Sequence, residues 1–92
     1  MIDPDDPNVR MAVFGKQVED FLDTEIGDYL VRKAREESMT AIEELKAEDP
    51  HNWESIQKIQ NRIKVAESIV GWLADAIIAG QQAMDNVRQD QE

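Results

Sequence analysis

Between residues 56 and 87, ten positions climb in alternating steps of three and four: Ile56, Ile59, Ile63, Ala66, Val70, Leu73, Ile77, Gly80, Met84 and Val87. All are apolar or small. A heptad register sustained this far predicts one long α-helix with a packed seam. A second small-and-apolar row runs beside it at Val65, Ile69, Trp72, Ala76, Ala79 and Ala83. From about residue 65 to 83 the helix is therefore apolar around most of its circumference. One neighbour cannot cover such a helix, so it is expected at the centre of a bundle or at the interface of an oligomer.

The rest of the chain supplies partners for that helix. Pro50, within Glu48-Asp49-Pro50-His51-Asn52, forbids helical continuation, and Asp49 or Asn52 can cap the long helix at its start. Upstream, Gly27, Val31, Ala34, Ser38, Ala41 and Leu45 form another seam. So short a connection makes the two helices antiparallel neighbours, bringing Leu45 near Ile56, Ser38 near Ile63, Ala34 near Ala66 and Val31 near Val70. Charges fit this pairing: Glu44 falls near Lys58, and Glu36 and Glu37 near Arg62 and Lys64. An earlier helix carries Met11, Phe14, Val18 and Phe21 on one face, and Asp6-Pro7 is a good start for it. The register changes at Asp23-Thr24. Thr24 could cap a new helix, and a continuous helix with a stutter is the competing reading. The expectation is an all-α single domain, a long antiparallel hairpin (25–48 and 52–87) with an additional N-terminal helix (8–23) on its wide apolar part. Residues 1–7 read as a flexible acidic arm and 89–92 as a frayed tail.

A chain of 92 residues is short for a monomeric core, which favours a homo-oligomer. With no cysteine there is no disulfide, thiolate nucleophile or sulfur-ligated metal site. The formal charge of −10 repels phosphate backbones and anionic bilayers, so direct nucleic-acid or membrane binding is not expected. Met1-Ile2-Asp3-Pro4-Asp5-Asp6-Pro7 is the reverse of a signal peptide, and the apolar window 69–80 is too short to span a bilayer. The chain reads as soluble and cytoplasmic, with protein as its partner.

Candidate chemistry is thin. His51 lies three residues after Glu48, half of a carboxylate-bridged di-iron spacing, but Pro50 breaks the helix that would present the pair and no second such motif exists. The adjacent acids Glu36-Glu37 and Glu43-Glu44 do not face each other on a helix. Phosphate loops and a Ser/His/Asp set are absent. No cofactor, metal or catalytic residue is expected. Asp20, Asp23, Asp28, Glu36, Glu43 and Glu44 could line a DNA-mimicking surface, although Arg32, Lys33, Arg35, Lys58, Arg62 and Lys64 are interleaved with acids. Trp53, at the hairpin bend, is expected to cover Leu45, or else to anchor a partner. Trp72 is expected to pack against Phe14, Val18 and Phe21, or against a second copy of the chain. Ile78 is a leftover apolar residue on the narrow polar side.

Val18-Glu19-Asp20-Phe21-Leu22, Ile26-Gly27-Asp28-Tyr29-Leu30 and the run from Ala66 to Ile77 resemble small acidic helical proteins of tailed bacteriophages and prophages. The resemblance spans about three quarters of the chain and carries no catalytic motif. It implies a phage setting: an assembly or virion accessory component acting in the host cytoplasm or the particle by helix-face docking. An inhibitor of a host or defence protein is the alternative.

Overall fold

The structure, a computed structural model, describes residues 3–90. Three α-helices make up the fold: α1 (Pro7–Leu22), α2 (Glu25–Ala47) and α3 (Trp53–Asp90). The chain is thus all-α, as the two hydrophobic periodicities require. Met1 and Ile2 of the expected arm, and Gln91 and Glu92 of the expected tail, lie outside the described residues. Helix α3 runs unbroken to Asp90, past the expected end at 87.

Each boundary has a local cause. The Asp6 carboxylate accepts the Asn8 amide at 2.8 Å, and Pro7 opens α1, where the missing amide has no carbonyl to meet. Thr24 ends one helix and begins the next. Its hydroxyl donates to the Phe21 carbonyl at 2.6 Å and accepts the Gly27 amide at 3.0 Å. The break at Asp23-Thr24, rather than the stutter, is what forms. Gly27 is required there, because a Cβ would stand 1.9 Å from the Phe21 carbonyl oxygen. At the other turn the Asn52 side chain accepts the Ser55 amide at 3.4 Å, and the Ser55 hydroxyl donates to Glu48 at 2.7 Å.

Lengths decide the architecture. At 1.5 Å per residue α1 and α2 are about 24 and 35 Å long, and α3 about 57 Å. The shorter two lie end to end along α3, each antiparallel to it, and touch each other least. The molecule measures 62 × 27 × 18 Å, with a radius of gyration of 18.6 Å against about 12 Å for a compact chain of this length. The expected N-terminal helix does seat on the wide apolar part of α3. It does so as a continuation of α2, not beside the hairpin, so the rod is two helices thick.

The α2 seam is as read from the sequence. Gly27, Ala34 and Ala41 are buried, with Val31, Ser38 and Leu45 half-buried between them. On α3, Ile59 and Ala66 are buried and Ile56, Ile63, Val70 and Leu73 half-buried. Beyond Leu73 the expected seam stays covered at Ile77, Gly80 and Val87, but Met84 slips out and Ala76 and Ala83 of the neighbouring row join it. Ala83 is 2% exposed and Met84 41%. The slip comes from how closely α1 approaches. A Cβ on Gly15 would stand 2.9 Å from both the Ala76 carbonyl oxygen and the Gly80 Cα, so the two backbones are nearly in contact. Only small residues fit under such a crossing.

That contact also corrects the face assigned to α1. Val18 is buried and Phe21 half-buried as expected, but Ala12 and Gly15 are buried in place of Met11 and Phe14, which stay exposed. Trp72 is 70% exposed and is not covered by α1. Trp53 is 69% exposed and does not close over Leu45.

Candidate docking face

Among the described residues the buried apolar ones are Ala12, Val18, Ala34, Ala41, Ile59, Ala66 and Ala83, and no large side chain is completely enclosed. Both tryptophans, the tyrosine and several large aliphatic residues are outside. Ile26, Tyr29 and Leu30 of α2 and Val65 and Trp72 of α3 are exposed, Ile26 by 72% and Val65 by 65%. They fall on one flank of the hairpin. There a groove of about 450 Å³ has Ala34 and Ala66 as its floor and Tyr29, Leu30, Val65 and Ile69 as its walls. Trp72 comes after Val65 and Ile69 on the same row, one further helical step along.

The flank continues onto α1. Lys16 and Glu19 edge the opposite side of the α1–α3 contact, together with Gln81 and Met84. Helical geometry then sets Met11 and Phe14 on the side shared with Val65 and Trp72. Of the residues expected to pack against each other, Phe14 and Trp72 are therefore on one side and exposed, while Val18 is buried and Phe21 half-buried.

Ion pairs close the other end of the groove. Arg62 bridges Glu44 and, at 3.9 Å, Glu37, while Lys33 meets Glu37 at 3.7 Å. The register expected for the hairpin is right to within a turn, but Arg62 rather than Lys58 takes Glu44. The other flank has its own depression, of about 420 Å³, along Ser38, Met39, Val70 and Gly71. It carries no aromatic residue.

The second row of α3 divides in two. Ala76 and Ala79 are half-buried and Ala83 buried, since α1 lies across this end. Val65, half-buried Ile69 and Trp72 remain open. Sequence reasoning assigned no contact to Ile26, Tyr29 or Leu30. A signal existed: Ile26 and Leu30 stand one helical turn apart beside the α2 seam. It also missed Gly15, whose spacing of three from Ala12 marks a small-residue stripe.

The six acidic positions considered for mimicry are all exposed but do not form one anionic surface. Asp20 meets Lys16 at 3.4 Å, Asp28 meets Arg32 at 3.7 Å, Glu43 meets Lys46 at 3.3 Å, and Glu44 is taken by Arg62. The Asp20 carboxylate, with Glu19 beside it, holds the Lys16 ammonium above its ordinary pKa. Asp23 caps α1, its amide donating to the Asp20 carbonyl. Glu36 and Glu43 lie on the side of α2 away from its seam. His51, in the turn, contacts Asp49 at 3.2 Å. Among the described residues no three His, Cys, Asp or Glu side chains are grouped to hold a metal ion, and no helix is long and apolar enough to cross a membrane. No protein family, curated protein or solved structure matches the chain.

Proposed function

We propose that this chain is a non-enzymatic interaction protein that docks another protein on the flank bearing Val65, Ile69 and Trp72. One observation carries the reading: the fully buried apolar residues are mainly alanine, while Trp72, Tyr29 and Ile26 are held outside on rigid helices. Exposed aromatic side chains beside an apolar groove are the usual energetic centre of a protein interface. The groove also lies on regular helices, which fix its shape without any ligand. A phage assembly or virion accessory role is the setting that the sequence resemblance suggests, and helix-face docking is the mechanism it would use. The inhibitor reading by DNA mimicry draws less support, because Lys16, Arg32, Lys46 and Arg62 sit among the carboxylates that would imitate phosphates.

The test is capture of partners from the native host with wild-type chain, Val65→Asp, Trp72→Asp and Ile78→Asp as baits. Docking on this flank predicts a partner lost with the first two and kept with the third. Retention of every partner by the Val65 and Trp72 variants would sink the reading. A partner released by moderate salt but indifferent to Trp72 would favour the acidic alternative.

A further inference from the structure

Resting on the docking reading, we infer that the occupant of this flank is a second copy of the chain, packed by a two-fold axis into a four-helix arrangement.

Surface area is the first argument. The chain exposes 7135 Å². A compact monomer of 10.5 kDa exposes about 5,400 Å². The excess arises from the two-helix thickness of the rod. It is about twice what one partner contributes to a standard interface, roughly 800 Å². A second hairpin laid along the rod would restore a normal ratio of surface to mass, and the exposed flank offers the apolar area for it.

Self-complementarity is the second. A two-fold contact needs projections and hollows on one and the same surface. This flank has both. Trp72 projects, and the hollow floored by Ala34 and Ala66 begins one helical turn away on the same face. If the two α3 helices cross antiparallel near Ile69, Trp72 of each copy reaches the groove wall at Val65 of the other.

Charge is the third. Two chains of −10 repel unless they meet where the local charge is balanced. The groove and its extension toward the turn are lined by three cations, Lys33, Lys58 and Arg62, and three carboxylates, Glu37, Glu44 and Glu48. The lining therefore carries no net charge, so two copies can approach along it.

The experiment is sedimentation equilibrium over a wide concentration range, on wild-type protein and on Trp72→Asp, Val65→Asp and Ile78→Asp. The expected result is a wild-type dimer, an Ile78 variant that dimerises alike, and Trp72→Asp and Val65→Asp chains weakened at least about 30-fold while keeping their helical circular dichroism. A second readout does not depend on a folded variant. In Trp53→Phe protein the only tryptophan is Trp72, and its emission should shift to the blue as the mass doubles. A wild-type chain that stays monomeric at every concentration overturns the second copy. The docking reading then survives only if Trp72→Asp abolishes capture of a different protein. A dimer indifferent to both Val65→Asp and Trp72→Asp overturns this flank as the contact between copies, and the docking reading then again rests on whether Trp72→Asp abolishes capture of a different protein.

Discussion

The two halves of the rod solve the same packing problem in opposite ways. Where α1 crosses α3, Gly15 and Gly80 let the backbones touch, and Ala12, Ala76 and Ala83 fill the contact. Where α2 pairs with α3, Val31, Leu45, Ile56 and Val70 stand between the helices among the seam alanines, and grooves open on both sides. Close approach needs little side-chain volume and leaves no room on that row for a further helix. Wider spacing leaves the flanking rows uncovered, and the uncovered row here carries the large residues. The first half therefore reads as a clasp within the chain and the second as a surface toward other molecules.

The harshest way to break this contrast is to put bulk into the clasp. Gly15→Leu forces a side chain against the Ala76 carbonyl and the Gly80 backbone. Overpacking of this kind costs about 3 kcal/mol. The loss should fall on α1 and the last turns of α3, with amide-exchange protection in α2 and residues 53–70 largely kept. If protection falls equally throughout, the two halves are one cooperative unit and the distinction fails. The joint between them is tested more gently. Thr24→Ala removes the acceptor of the Gly27 amide and should cost about 1 kcal/mol in stability, read from the denaturant midpoint, as loss of a helix cap does. An unchanged midpoint would mean that water or the backbone replaces the hydroxyl and the joint is not specified by Thr24.

The uneven legibility of this molecule in its sequence has a physical origin. The α2 seam and the first part of the α3 seam were readable because residues such as Ile59, Ala66, Ala34 and Ala41 repeat at the heptad period, and so does the packing they make. The break at Thr24 was readable from its capping chemistry. What was not readable is which residues lose when two rows compete for one neighbour. Met11 and Phe14 outweigh Ala12 and Gly15 in hydrophobicity, so periodicity alone turns α1 toward its large side. The structure keeps Val18 buried and Phe21 half-buried but sets Ala12 and Gly15 inside in place of Met11 and Phe14, because the crossing depends on how near Gly80 allows a backbone to come. For the same reason Trp72 stands on its expected row, but the cover expected for it from α1 does not form.

A milder test separates the flanks of α3 from each other. Gly71 lies on the side away from Trp72, and a Cβ added there meets nothing within 4 Å. Gly71→Ala should therefore stabilise the chain by about 0.5–1 kcal/mol, the usual gain for glycine replaced in a helix interior. It should leave association unaltered. A gain in stability with loss of association would place the contact surface on the Met39 and Gly71 flank instead.

The smallest expected effect concerns the ion pairs at the end of the groove. Arg62 is about half exposed and bridges Glu37 and Glu44, so its pairs are screened by solvent. Arg62→Gln should cost the isolated chain no more than about 0.5 kcal/mol, and that difference should vanish in high salt. The same substitution leaves Glu44 without its partner beside the groove, while Glu37 keeps Lys33. Two copies meeting on this flank would then bring two unmatched carboxylates together, so association should suffer more than folding does and should recover as salt is raised. Association insensitive to both the substitution and the salt would show that this end of the groove lies outside the contact. The docking area would then contract toward Trp72, Ile26 and the exposed side of α1, farther from the turn than the charge balance alone implies.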